Sequence, residues 1–213
     1  MNRTCIVVLL AALLTPLTIH AQDANSELCQ AAKRGEVEEV RKLLDGGANA
    51  NGQADCVPLI EAAYWGRAEV VNALLEKGAD VNAKDKSNRT ALIAAAQPGH
   101  TEVIKALLAK GADVKAKGPE GRTAFIEAAA RGHVEAMQAL MAAGADVNVK
   151  ADDGRTALML AAYWGHTKVV QALLEKGAKA GEKDASGYVA LDFAKSQNHK
   201  EIVDLLTKAK AQQ

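Results

Sequence analysis

Apolar residues recur along this chain in two alternating spacings. Leu158, Leu160, Ala161 and Ala162 crowd one short stretch, and after Gly165-His166 a second set, Val169, Val170, Leu173 and Leu174, returns at the three- and four-residue steps of an amphipathic helix. Thr156 stands just before the first stretch, where its hydroxyl can accept from the backbone N–H of a starting helix. Lys176-Gly177 closes the second with the charge and the permissive residue suited to a helix C-terminus. The pattern predicts a short helix, a turn, a longer helix and a loop. Shifting the chain by 33 residues lays Thr156 on Thr123 and Thr90, Gly165 on Gly132 and Gly99, and Gly177 on Gly144 and Gly111. A fixed period of this length predicts a stacked array, because one such unit cannot bury its apolar side alone.

The register divides the chain into units 22–53, 54–84, 85–117, 118–150, 151–183 and 184–213. Unit 54–84 opens on Val57-Pro58-Leu59, with Pro58 at a first helical position where no backbone donor is missed. The end units keep the apolar positions but are more polar. Lys33, Arg34, Glu36, Glu38, Glu39 and Lys42 surround Leu28, Ala31, Ala32 and Val40, while Asp192 and Lys195 stand where inner units have apolar residues or alanine. A polar outer face is what the cap of an array requires. The loop from Asn51 to Val57 is two residues shorter than that from Asn82 to Thr90, so one loop of the series should be stubby.

The phrase D-x-G-x-T-A-L-x-x-A-A-x-x-G-H-x-x-V-V-x-x-L-L-x-x-G-A-D-V-N resembles the ankyrin repeat, and the resemblance covers about residues 26–210. It implies an all-α solenoid of stacked helix-turn-helix units joined by β-turn finger loops. It also implies a non-catalytic protein–protein interaction module whose variable contact residues lie on a concave face, at the first-helix ends and in the fingers. One departure concerns the family's threonine-proline-leucine-histidine box. Here it reads Thr90-Ala91-Leu92-Ile93, Thr123-Ala124-Phe125-Ile126 and Thr156-Ala157-Leu158-Met159, so packing must replace the hydrogen bonds of that histidine.

The first 21 residues stand outside the array. Met1–Arg3 carries positive charge, Cys5–Leu14 is an unbroken apolar run, Pro16 interrupts it, and Ala21 ends the segment on a small residue. This layout predicts a secretory signal peptide cut after Ala21, and so a periplasmic or secreted protein. Ile19, large for its place three residues before the cut, leaves the exact bond open. Cys5–Ile19 is shorter than the ~20 residues that span a bilayer, so no stable membrane insertion is expected after cleavage. Lys plus Arg number 26 and Asp plus Glu 26, a balance that gives no general attraction to nucleic acid or an anionic membrane. One elongated domain, monomeric by itself, is expected.

Candidate chemistry is sparse. His100, His133, His166 and His199 recur every 33 residues, but zinc holds its nitrogens at ~2.0–2.1 Å from one point. Equivalent positions of stacked helices lie on the order of 10 Å apart. The histidines read as turn residues opening each second helix, and no metal site or cofactor is implied. No nucleophile elbow, HExxH or phosphate-binding glycine loop occurs, and Asp152-Asp153 reads as a loop tip, so no catalytic residue is assigned. Asn88 holds the place of Gly121, Gly154 and Gly187, which explains it as a residue tolerant of positive φ although Asn88-Arg89-Thr90 also forms a glycosylation sequon.

The aromatic residues carry more. Phe125 and Phe193 fall on core positions, whereas Tyr64-Trp65, Tyr163-Trp164 and Tyr188 occupy places that the ankyrin resemblance assigns to the concave contact surface. Tyrosine and tryptophan dominate binding hot spots. Gln97-Pro98 and Ala130-Arg131 fill the equivalent places in other units, so the fold does not demand aromatics there. Arg89, Arg122 and Arg155 recur before each threonine and, with Arg131, are expected to face carboxylates of a partner or solvent. The resemblance also places Cys29 at the box-histidine position, facing the finger that holds Cys56. That favours a Cys29–Cys56 disulfide, the alternative being two inert thiols. The expected function is a scaffold or adaptor that binds another protein, with an inhibitor or immunity protein against an extracytoplasmic enzyme or toxin as the alternative.

Overall fold

The computed structural model describes residues 24–53 and 55–210; the leader expected over 1–21 lies outside them. Among the described residues there are twelve α-helices and no strands. They run α1 (24–34), α2 (Val37–Asp45), α3 (Pro58–Tyr64), α4 (Ala68–Glu76), α5 (Ala91–Ala96), α6 (Thr101–Ala109), α7 (Ala124–Ala130), α8 (Val134–Ala142), α9 (Ala157–Trp164), α10 (Thr167–Glu175), α11 (Ala190–Ser196) and α12 (Lys200–Lys210).

The odd-numbered helices begin where the sequence supplies a cap. Thr90, Thr123 and Thr156 each accept at 3.4 Å from the backbone N–H three residues on, and Pro58 occupies the first turn of α3. In α11 the roles are reversed, with Asp192 Oδ2 accepting at 3.0 Å from the N–H of Val189. Asp192 is therefore a helix cap on the polar end of the array.

Helices α3, α5, α7, α9 and α11 stack in one layer, and α2, α4, α6, α8, α10 and α12 in a second. The first layer is alanine-rich because adjacent short helices must approach closely. Ala62, Ala63, Ala95, Ala128, Ala129, Ala161, Ala162 and Ala194 are wholly buried. Both layers contribute large side chains to a continuous core, Leu59, Leu92 and Phe125 from the first and Val70, Val71, Leu74, Ile104, Leu107, Met137, Leu140, Val169, Val170 and Leu173 from the second. Ile93, Ile126 and Met159, which replace the box histidines, are buried as well. Burying each such side chain is worth about 1.5–3 kcal/mol.

The fingers project from the edge of the first layer. Lys84 pairs with Thr90 and Lys150 with Thr156 as antiparallel bridges, whereas the shortened first finger closes earlier, between Gln53 and Cys56. Asn88 takes a left-handed φ of 63° at the tip of its finger, the backbone requirement read from its alignment with glycines. Neighbouring fingers are joined by Asp152 N–H to Glu120 O at 3.0 Å and Ala185 N–H to Asp153 O at 2.9 Å. On the loops that leave the second layer, Asn51, Asn82 and Asn148 accept through Oδ1 from the backbone N–H of Asp80, Asp113 and Lys179 in the next unit.

Candidate docking surface

The register, 33 residues between units and 31 across the shortened first loop, turns equivalent positions into rows. One row along the first-helix ends reads Lys33, Tyr64, Gln97, Ala130, Tyr163, and its neighbour Arg34, Trp65, Pro98, Arg131, Trp164. Helix α3 ends on Tyr64 and α9 on Trp164, so both pairs sit where the backbone leaves the helix and side chains turn outward. Tyr64 is 38% exposed, Trp65 43%, Trp164 59% and Tyr188 56%, and these four are the exposed large hydrophobic side chains among the described residues. Within each pair the rings meet edge to face, at 5.5 Å for Tyr64–Trp65 and 5.0 Å for Tyr163–Trp164. That geometry is favoured by the ring quadrupoles.

Around the first pair, Lys33 Nζ lies 5.2 Å over the Trp65 ring and Arg89 Cζ lies 5.7 Å over Tyr64. The second pair is larger than its sequence suggests. Phe193, expected in the core, is only partly buried; its ring stands 6.2 Å from Tyr163 and 6.3 Å from Tyr188, with Arg155 Cζ 5.2 Å above it. The reason is its row, shared with Glu61, Ala94, Glu127 and Leu160, which lies on the finger side of the stack, so Phe193 packs against the core on one side and meets the finger aromatics on the other. Tyr163, Trp164, Tyr188 and Phe193 thus form one aromatic cluster across two units.

The arginines are occupied within the chain. Arg89 Nε lies 3.1 Å from Asp85 Oδ2, Arg122 lies 2.9 Å from Glu120 and 3.6 Å from the buried Glu127, and Arg155 lies 3.4 Å from Asp153 and 3.8 Å from the buried Asp184. These contacts neutralise the row locally; Arg122–Glu127 ties its finger to α7 and Arg155–Asp184 ties two neighbouring fingers. Arg34 is held 2.7 Å from Glu36, a bond that raises the arginine pKa and lowers that of the glutamate, with both groups in solvent. Arg131 is exposed and has no ion pair among the described residues.

Each histidine reaches back to the preceding unit. His100 Nε2 lies 3.1 Å from Tyr64 O, His133 Nε2 3.0 Å from Gln97 O, His166 Nε2 3.1 Å from Ala130 O and His199 Nε2 3.1 Å from Tyr163 O. A carbonyl can only accept, so Nε2 carries the proton in every case. Arg67 fills the same rung in unit 54–84, its Nε donating at 3.1 Å to Lys33 O. Gly66, Gly99, Gly132 and Gly165, which precede Arg67, His100, His133 and His166, each make room for the histidine ring of the next unit. At Gly165, with φ of 79°, an added Cβ would lie 2.7 Å from the His199 ring. Burial holds the His166 pKa below the ordinary imidazole range despite its bond to Ala130, and the neighbouring His133 and His199 add to the lowering. Among the described residues no cluster of potential ligands converges on a point where a metal ion could bind.

Cys29 and Cys56 meet across the first finger, with Cα atoms 6.3 Å apart and sulfurs at 2.05 Å. By the register Cys29 stands in the row of Ile93, Ile126 and Met159, and Cys56 heads the row Arg89, Arg122, Arg155, Tyr188. The N-terminal unit thus places a sulfur–sulfur contact where inner units use packing.

A family model described as ankyrin repeats matches in three copies, over residues 2–85, 83–151 and 143–213. Among curated proteins, a mouse 2-5A-dependent ribonuclease is 39% identical over 31% of the chain, and the Arabidopsis thaliana E3 ubiquitin-protein ligase KEG 37% over 42%. The human ankyrin repeat and KH domain-containing protein 1 is 49% identical over 28% of it. The matched regions are 9%, 6% and 2% of those proteins, so the similarity concerns the repeats alone.

Proposed function

The chain belongs to the ankyrin-repeat family, and from that premise we propose that it binds another protein through the aromatic face formed by its first-helix ends and fingers, as a scaffold or adaptor outside the cytoplasm. One observation carries the reading: the exposed large hydrophobics, Tyr64, Trp65, Trp164 and Tyr188, all fall on that face while the rest of the apolar set is packed inside. Between the two aromatic clusters lie Gln97-Pro98 and Ala130-Arg131, units that present no aromatic at these positions, so a partner engages the array at two separated ends. Their separation, three units, is on the order of 30 Å from helix diameters. With Arg89, Arg122 and Arg155 neutralised internally, the apolar rings supply most of the affinity, and Arg131, exposed and without an ion pair among the described residues, adds a cation.

Export to the periplasm rests on the leader pattern of residues 1–21, and the Cys29–Cys56 pair suits an oxidising compartment. Edman sequencing of the protein from a periplasmic fraction should begin at Gln22. The binding test is affinity capture with the mature chain and with Trp65→Ala/Trp164→Ala. Trp164, 59% exposed, leaves about 150 Å² of a ~250 Å² side chain to bury, worth about 3–4 kcal/mol at most. The double variant should keep its helical circular dichroism and weaken the partner by at least a hundredfold. Undiminished capture would remove the site assignment. A captured enzyme or toxin that loses activity on mixing would make the binding inhibitory.

A further inference from the structure

We infer that His100 and His199 are positioning residues for the two aromatic clusters, an inference that rests on the reading of the Tyr–Trp pairs as a docking surface. The four histidine bonds are alike in geometry, but their acceptors are not. His100 holds the carbonyl of Tyr64 and His199 that of Tyr163, whereas His133 and His166 hold Gln97 and Ala130. A carbonyl shares one rigid plane with the N–H of the residue that follows. Pinning Tyr64 O therefore fixes the plane from which Trp65 departs, and pinning Tyr163 O does so for Trp164. At the first site the same plane is held from its other edge, because Trp65 N–H donates to Glu61 O at 3.1 Å. These carbonyls belong to the last turn of α3 and α9, where no intrahelical donor is available, so without the imidazole they would turn to water.

The ring also fills the space beside the backbone that follows. An added Cβ on Gly66 would lie 2.8 Å from the His100 ring, as one on Gly165 would lie 2.7 Å from His199. Each histidine is thus seated in its own unit, bonds to the tyrosine, and packs against the glycine just after the tryptophan in the unit before. Arg67 does the same for Lys33, the residue stacked over Trp65, so the first cluster is held by two consecutive rungs. The chain itself demonstrates that an arginine can replace a histidine on this ladder.

The experiment uses the four single variants His100→Ala, His133→Ala, His166→Ala and His199→Ala in the mature chain, with His100→Arg as the rescue. Acrylamide quenching and the emission maximum of the tryptophan are read in a Trp164→Phe background for Trp65 and in a Trp65→Phe background for Trp164. The expected result is a changed emission and at least a twofold change in quenching of Trp65 in His100→Ala, restored in His100→Arg. His199→Ala should do the same to Trp164. His133→Ala and His166→Ala should lower the melting temperature similarly yet leave both signals unchanged. Equal effects of all four, or tryptophans indifferent to His100 and His199, would overturn the inference; if His100→Ala does not fold, the His199→Ala and His166→Ala pair decides by the same criterion. The optical readout needs no partner. A positive optical result with no captured protein would therefore sink the docking reading while leaving the positioning role intact.

Discussion

Separating Cys29 from Cys56 in the first finger gives the most quantitative expectation. Cys29 and Cys56 are separated by 27 residues, and closing a loop of that size removes enough unfolded-state entropy to stabilise by about 3.5 kcal/mol at 25 °C. In a globular domain that loss would be shared by the whole molecule. Here each unit touches only its neighbours, so it should be felt where the loop lies, in α1, α2 and the start of α3. The cap depends on the link because its own apolar contribution is modest, with Leu28, Cys29, Ala31, Ala32 and Val40 buried and its outer surface polar. The perturbation is reduction with a phosphine, checked against Cys29→Ser/Cys56→Ser, and the assay is native-state hydrogen exchange resolved by peptide. At 1.4 kcal/mol per factor of ten, the opening of residues 24–64 should become about 300-fold more frequent, while α11 and α12 keep their protection. Because Lys33 lies over Trp65, the same reduction should alter the Trp65 emission. Unchanged protection in α1 and α2, or a loss spread evenly to α12, would refute the argument that the bridge acts as a local staple.

Two further outcomes follow from the core and from titration. Phe125 is completely buried at the middle of the array, so Phe125→Ala should cost about 3–5 kcal/mol in urea unfolding, more than any surface change in the same helix. His166 has a folded-state pKa below its unfolded value, so the unfolded chain binds the proton first. Stability should be complete above about pH 6.5 and fall as the pH drops through the folded-state pKa, a dependence that His166→Gln should reduce in urea midpoints taken between pH 7.5 and 5.0.

Much of the molecule was readable in order. The period fixed which residues are equivalent, and equivalence put Tyr64-Trp65 and Tyr163-Trp164 on one row because identical offsets in a stack point the same way. Thr90, Thr123 and Thr156 were readable as caps because a cap and its helix are neighbours in sequence. Asn88 was readable as a left-handed residue because glycine occupies its place in other units. Phe193 packs against the core as its apolar character suggested, but only in part, and its contacts with Tyr163 and Tyr188 were not readable because apolar character does not reveal how much of a ring the stack covers. The arginines were expected to look outward, yet they meet Asp85, Glu120, Glu127, Asp153 and Asp184, since the curl of a finger decides which carboxylates come within reach. Arg67 was passed over, although its place one step before His100 in the 33-residue register was a usable signal.

The repeated unit, its caps and the row on which the aromatics stand were all legible in the order of the residues. These follow from spacing, and spacing is a property of the covalent chain. How units act on one another emerges from the folded stack: which carbonyl a histidine holds 36 residues upstream, which sulfur faces which, and which cations are already paired. Those contacts depend on the distance and rotation between stacked helices, quantities set by the packing of alanines and leucines in three dimensions.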